Sequence, residues 1–166
     1  MGRFVCKTLT LVPGWSEMQD TEVSGNNLVE AVSRWTAAVL TGWAYRLQFE
    51  SLRAVAIDSH PWHGSLWVAL LTENEVQLVK DNKWAIGDWR WAQTEKVGPS
   101  LENMIKRSYE GDSALSKQES DERFFLDLAA GLTSREVKKA LEVYTLSDDF
   151  EFGVFNPDSP KRNYVA

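Results

Sequence analysis

Cysteine is nearly absent from this chain. Cys6 stands alone among 166 residues, so no internal disulfide can form. That excludes the disulfide-stapled scaffolds of small secreted proteins and fits a reducing compartment. Long apolar runs are missing as well. The longest, such as Leu66–Leu71, fall far short of the ~20 residues that span a bilayer. Met1–Val12 carries Arg3 and Lys7 but lacks the apolar stretch of a signal peptide. Gly2 begins like a myristoylation motif, yet Cys6 sits where that motif has Ser or Thr. These absences predict a cytoplasmic protein without membrane association.

Positive charge is in deficit: 18 basic residues stand against 24 acidic ones, a formal net charge of −6. The basic residues are scattered, and the closest pair in the tail is Lys161-Arg162. Nucleic acids are held by Lys and Arg that displace counterions along a basic stripe, so no nucleic-acid partner is expected. An acidic surface instead attracts basic partners over long range. Catalytic signatures are also missing. The 10 glycines are dispersed and none precedes a Lys-Ser or Lys-Thr pair, which excludes a phosphate-binding loop of that type. Gly64-Ser65 does not complete a G-x-S-x-G elbow. Cys6 lies in a predicted strand, where a small buried cysteine is the ordinary outcome. Asp148-Asp149 and Asp121-Glu122 read as cap or surface charge. No cofactor is implied.

Tryptophan, by contrast, is abundant: 8 in all, with Trp62, Trp67, Trp84, Trp89 and Trp91 close together in sequence. The remaining composition, 43% apolar and 25% charged, is that of an ordinary globular domain. A single domain over 1–166 is expected, since a chain this long buries about 70% of its unfolded surface without metal or disulfide.

The pattern predicts strands and helices in a mixed order. Phe4–Val12 reads as a strand stopped by Pro13-Gly14, and 15–26 as loop. Asn27 caps a helix with Glu30 in capping-box spacing, and Leu28, Val32, Trp35, Val39 and Trp43 form its apolar face. Leu52–Asp58 and Ser65–Thr72 are apolar on both faces, as central strands are, and the short Pro- and Gly-containing loop between them predicts an antiparallel hairpin. A third strand is expected over Asp88–Gln93. Ser100 is the expected cap of a short helix with Leu101, Met104 and Ile105. After a polar stretch, 110–122, a helix through Phe124, Phe125, Leu128 and Ala129 is expected to break at Gly131. Thr133-Ser134-Arg135-Glu136 forms a capping box ahead of Val137, Ala140, Leu141 and Tyr144. Phe150–Val154 alternates as a last strand, and 156–166 reads as a turn-rich tail. The order lacks regular βαβ alternation. It predicts an α+β fold with an antiparallel or mixed sheet of about four to five strands and helices packed on it.

Two constellations could carry function. Asp58, His60 and His63 place a carboxylate and both of the chain's imidazoles around one loop, and such groups are ligands for zinc or non-haem iron and can act in acid–base chemistry. Pro61 disfavours a helical arrangement of the two histidines, and a further ligand would have to be a distant Asp or Glu. The ordinary alternative is a hairpin loop with solvated histidines. The second constellation is Asp88, Trp89 and Arg90, because Trp and Arg are the residues most enriched in binding hot spots. The ordinary alternative there is a core tryptophan with polar neighbours pointing outward. Trp62, beside Pro61 in a loop, is the tryptophan most expected to be exposed, whereas Trp35 and Trp67 are expected in the core. Trp62, His63, Asp88, Trp89 and Arg90 are thus the candidate binding surface, with no catalytic residue assigned.

Ala54–Leu71 with Asp58 and His60-Pro61-Trp62-His63-Gly64, then Gly87-Asp88-Trp89-Arg90, and then Asp149 through Asn156 together resemble small bacterial domains of unknown function, some of which occur among the immunity proteins of toxin–immunity systems. The resemblance implies a small cytoplasmic α+β protein that binds and neutralises a cognate toxin without catalysis, and the acidic charge favours a basic, toxin-like polypeptide as that partner. The alternatives are a metal-dependent or acid–base enzyme centred on the Asp58–His63 loop, and an accessory or scaffold domain.

Overall fold

The computed structural model describes residues 27–79, 83–93, 97–111 and 114–165. Cys6, the strand expected over Phe4–Val12 and the loop expected over 15–26 lie outside them. The first described element begins where Asn27 predicts it. The Asn27 side-chain oxygen accepts the Glu30 backbone N–H at 2.9 Å, and helix α1 (Leu28–Trp43) follows. Its buried positions include Leu28, Val32, Val39, Leu40 and Trp43, one stripe at helical spacing.

The two doubly apolar segments form the expected hairpin. Strand β1 (Ser51–His60) and strand β2 (Ser65–Thr72) pair antiparallel, with Asp58 opposite Trp67 and His60 opposite Ser65. Three more strands complete the sheet: β3 (Trp91–Ala92), β4 (Thr145–Asn156) and β5 (Ser159–Asn163). The order is β3-β2-β1-β4-β5. β4 runs parallel to β1, and the other pairs are antiparallel, so the sheet is mixed. β1 and β2 are inner strands, which explains why neither shows the polar alternation of a half-solvated strand.

Two expectations about strands fail at the edges. Only Trp91 and Ala92 of the predicted third strand join the ladder, because Ile86–Asp88 forms a 3-10 turn instead. The turn-rich tail contains β5, which returns along β4 after a turn at Pro157-Asp158, with the Asn163 side chain accepting the Val154 N–H and donating to the Phe152 carbonyl. A side chain there does what ladder bonds do elsewhere, so hydropathy carried no signal of it.

Helix α2 (Pro99–Glu110) is capped by Gly98 rather than Ser100, with Pro99 at its start, where a missing N–H costs nothing and the fixed φ suits a helix. Helix α3 (Lys117–Leu132) begins inside the polar stretch 110–122, ahead of the apolar residues that mark it in the sequence. Ser116 and Glu119 form its reciprocal capping box. α3 also passes through Gly131, the expected break, and ends at Leu132. A Cβ on Gly131 would lie 2.8 Å from the Val32 side chain, so glycine serves a close helix crossing there. Helix α4 (Arg135–Leu141) is capped by Ser134, one residue later than the expected Thr133, its hydroxyl accepting from Val137 N–H at 3.3 Å.

The sheet has two unlike faces. On one, Leu52, Val55, Ile57, Leu66, Val68 and Leu70 pack beneath the helices, joined by Phe124, Phe125 and Leu128 of α3. On the other, Ala54, Ala56, Ala69 and Leu71 lie under Ile86, Trp84 and Trp89. Small side chains leave room for indoles. At Gly153 of β4 a Cβ would stand 2.2 Å from the Trp84 ring. The Lys83–Glu151 ion pair, at 2.8 Å, ties this cover to β4. No described helix is long and apolar enough to cross a membrane.

Candidate functional site

The β1–β2 connection builds a rigid aromatic tip. β1 ends at His60, Pro61–His63 makes one 3-10 turn, and Gly64 reverses the chain with φ of 66°, which glycine adopts without strain. Gly64 N–H donates to the Pro61 carbonyl at 2.9 Å. Below it the Ser59 hydroxyl donates to the Ser65 carbonyl at 2.9 Å. Gly64 also presses on α2: a Cβ there would meet Glu102 Cγ at 2.5 Å and Lys106 Cε at 2.9 Å. The hairpin end is therefore clamped from within and from the side.

On this support Trp62 stands out, 42% exposed. Its ring meets His60 edge-on at 5.5 Å, His63 at 6.1 Å and Tyr109 of α2 at 6.2 Å. His60 in turn packs on Trp67 at 5.6 Å. Tyr109 is rooted in the core by a perpendicular contact with Phe124 at 5.5 Å, and Lys117 lies over its ring at 3.5 Å. A continuous series of rings thus runs from β2 to α3, with one large apolar face open to solvent. Each perpendicular or offset contact contributes roughly 0.5–1.5 kcal/mol beyond its buried area, so the indole is held in place rather than free to sweep.

The two imidazoles both lie against the Trp62 ring. Among the described residues, no group of three or more His, Cys, Asp or Glu side chains is placed to hold a metal ion. Asp58 sits lower on the hairpin, half-buried opposite Trp67. Burial raises its carboxyl above the usual aspartate value, while the His60 imidazole and the Ser59 backbone pull it down.

The second set of sequence candidates is not at the tip. Trp91 pairs with Leu70, well along β2 from Ser65, and Asp88, Trp89 and Arg90 precede it on the cover of the small-residue face. Trp89 is buried, 4% exposed, its ring 5.9 Å from Trp84 and its indole N–H donated to the Lys83 carbonyl at 2.9 Å. As a surface candidate Trp89 is therefore corrected: it fills space above Ala56 and Ala69. Asp88 and Arg90 are exposed, and the Arg90 guanidinium lies 5.5 Å from the Trp91 ring. Trp67, expected in the core, is only half-buried, near the hairpin end where it packs on His60, and Trp35 is likewise half-buried.

The sequence reading missed Tyr109 and Lys117. Tyr109 was accessible, since Leu101, Ile105 and Tyr109 continue one stripe at a spacing of four on α2. Lys117 was not, because its place depends on where α3 starts. No family model matches this chain, and no curated protein and no solved structure matches it.

Proposed function

We propose that this is a non-enzymatic binding protein whose hairpin tip docks a polypeptide partner, with neutralisation of a basic, toxin-like protein in the cytoplasm as its most concrete form. The observation that carries the reading is Trp62, an exposed indole packed against His60, His63 and Tyr109. Binding costs freedom of the side chains it immobilises, and a ring already wedged among His60, His63 and Tyr109 has little left to lose. Tryptophans so placed are the anchors of protein interfaces. The net charge of −6 favours a basic partner by steering. The likeness to immunity domains rests on the quoted residues alone.

The test is affinity capture from the native host with wild-type and Trp62→Ala baits compared side by side. A stoichiometric polypeptide held by the wild-type and weakened by about 2 kcal/mol or more in Trp62→Ala supports the reading. A partner held equally by both baits places the interface elsewhere, and an empty wild-type capture at several salt concentrations removes the polypeptide-binding reading.

A second reading has one observation in its favour: the raised carboxyl of Asp58 beside His60 is the type of pairing that acid–base sites use. Elemental analysis of untagged protein, and thermal melting with added zinc, test its metal-dependent form. Metal below stoichiometry together with no zinc-dependent rise in melting temperature would sink it.

A further inference from the structure

Helix α3 makes close approaches to its neighbours at two glycines. Near its start, Ser120 is buried against Gly111, where a Cβ would lie 2.3 Å from the Ser120 hydroxyl oxygen. Near its end, Gly131 meets α1 at Val32. Between these points α2 and α3 leave a cavity of about 700 Å³. Its α3 wall presents Arg123 and Asp127, one turn apart, and its α2 wall presents Ser100, Asn103 and Arg107 at successive turns. Asn27, the cap of α1, and Leu28, its first residue, also line it. The volume falls in the roughly 300–1,000 Å³ range of small-molecule sites.

The charge of the trough runs against that of the protein. Arg34, Arg53, Lys83, Lys106, Lys117 and Arg162 are all ion-paired. Arg107 and Arg123 form no ion pair with any described residue. The carboxylate of the wall is Asp127, which burial pushes above the usual aspartate value and which the Arg123 charge draws back. Two guanidiniums, one on each helix wall, thus line the trough with one carboxylate, in a chain whose net charge is −6. Guanidinium forks fit carboxylate and phosphate oxygens in pairs, and the serine, asparagine and aspartate side chains supply partners for hydroxyl or amino groups.

We propose that this trough binds a small organic anion, a phosphorylated or carboxylated molecule that also carries hydroxyl or amino donors. The two arginines hold the anionic group across the gap between the helices, and Asp127 accepts from a donor of the same molecule. The site is separate from the hairpin tip and does not depend on what the tip binds.

Isothermal titration calorimetry in low salt, with inorganic phosphate, citrate and glucose 6-phosphate as probes, tests this. At least one probe saturates a single site, and Arg107→Gln and Arg123→Gln each weaken it by roughly tenfold or more, the loss expected for a charge-assisted hydrogen bond. Asp127→Asn weakens glucose 6-phosphate more than inorganic phosphate, and Trp62→Ala leaves all affinities unchanged. Arg107 and Arg123 are exposed helical positions, so circular dichroism of the variants should match the wild-type. The absence of saturable heat with all three probes, or binding that survives both arginine substitutions, overturns the proposal.

Discussion

Trp62 and Trp89 look alike in sequence, each next to a turn-forming residue and to charged or titratable neighbours, yet the fold uses them oppositely. Trp89 lies on the small-residue face of the sheet with its N–H satisfied by a carbonyl, and is buried. Trp62 stands on the hairpin end with its face to solvent, propped by other rings. The difference comes from what faces each indole. Ala54, Ala56, Ala69 and Gly153 leave a shallow space on the sheet that large rings fill, whereas Trp62 at the tip is left exposed by the described residues. A tryptophan is interior when the opposite strand positions are small, and that property belongs to residues distant in sequence from the tryptophan itself.

Alanine substitution should separate the two most strongly. Trp89→Ala removes a buried ring and its hydrogen bond, and is expected to cost about 3–5 kcal/mol of unfolding free energy in urea titrations. Trp62→Ala gives up three part-exposed ring contacts and should cost about 1.5–2 kcal/mol, less than Trp89→Ala. Equal losses would mean that Trp62 is a core residue, and the proposed docking surface would fall with it.

Glycine substitution sharpens the same contrast from the sheet side. Gly153→Ala drives a methyl group into the Trp84 ring and should cost about 1–3 kcal/mol by overpacking. Gly87→Ala, on the same cover but with open space around it, should change stability by no more than about 0.5 kcal/mol. If both substitutions prove neutral, the indoles do not sit close on the sheet.

Much of this architecture was readable in the sequence. The β1–β2 hairpin declared itself through segments apolar on both faces, and α1 through Asn27 and the stripe from Leu28 to Trp43. What escaped depended on partners. Gly131 reads as a helix breaker but marks the crossing with Val32. Ser159–Asn163 reads as tail because Asn163 supplies hydrogen bonds that no hydropathy pattern records. Asp88–Gln93 reads as strand because its alternation is real, although it serves a turn and a cover. At the candidate site, the loop residues Trp62 and His63 were visible locally. Tyr109 and Lys117 come from helices brought to the tip by tertiary packing.

The smallest expected effect concerns two carboxyls. Glu75, on the 3-10 segment Glu73–Val79 that follows β2, is buried and accepts from the Thr72 hydroxyl at 3.2 Å, while its other oxygen has no partner among the described residues. Burial raises its carboxyl above 4.5, with the Thr72 hydrogen bonds and the Arg90 charge opposing. Asp58 is raised above 3.8 by burial at the tip. An acid whose value is higher in the folded state binds more protons folded than unfolded. Stability therefore falls as pH rises from the ordinary value through the raised one, and levels off above it. Glu119, lowered by its capping bonds to Ser116, has the opposite slope, so only differences from the wild-type are informative. Urea midpoints of Glu75→Gln followed upward from pH 4.5, and of Asp58→Asn from pH 3.8, should each lack part of the wild-type decline. The larger change is expected for Glu75, the less exposed of the two residues, whose carboxyl has no imidazole beside it. A larger change for Asp58 would show that the tip, and not the segment after β2, holds the more strained charge, and would favour the acid–base reading of the hairpin over the docking one.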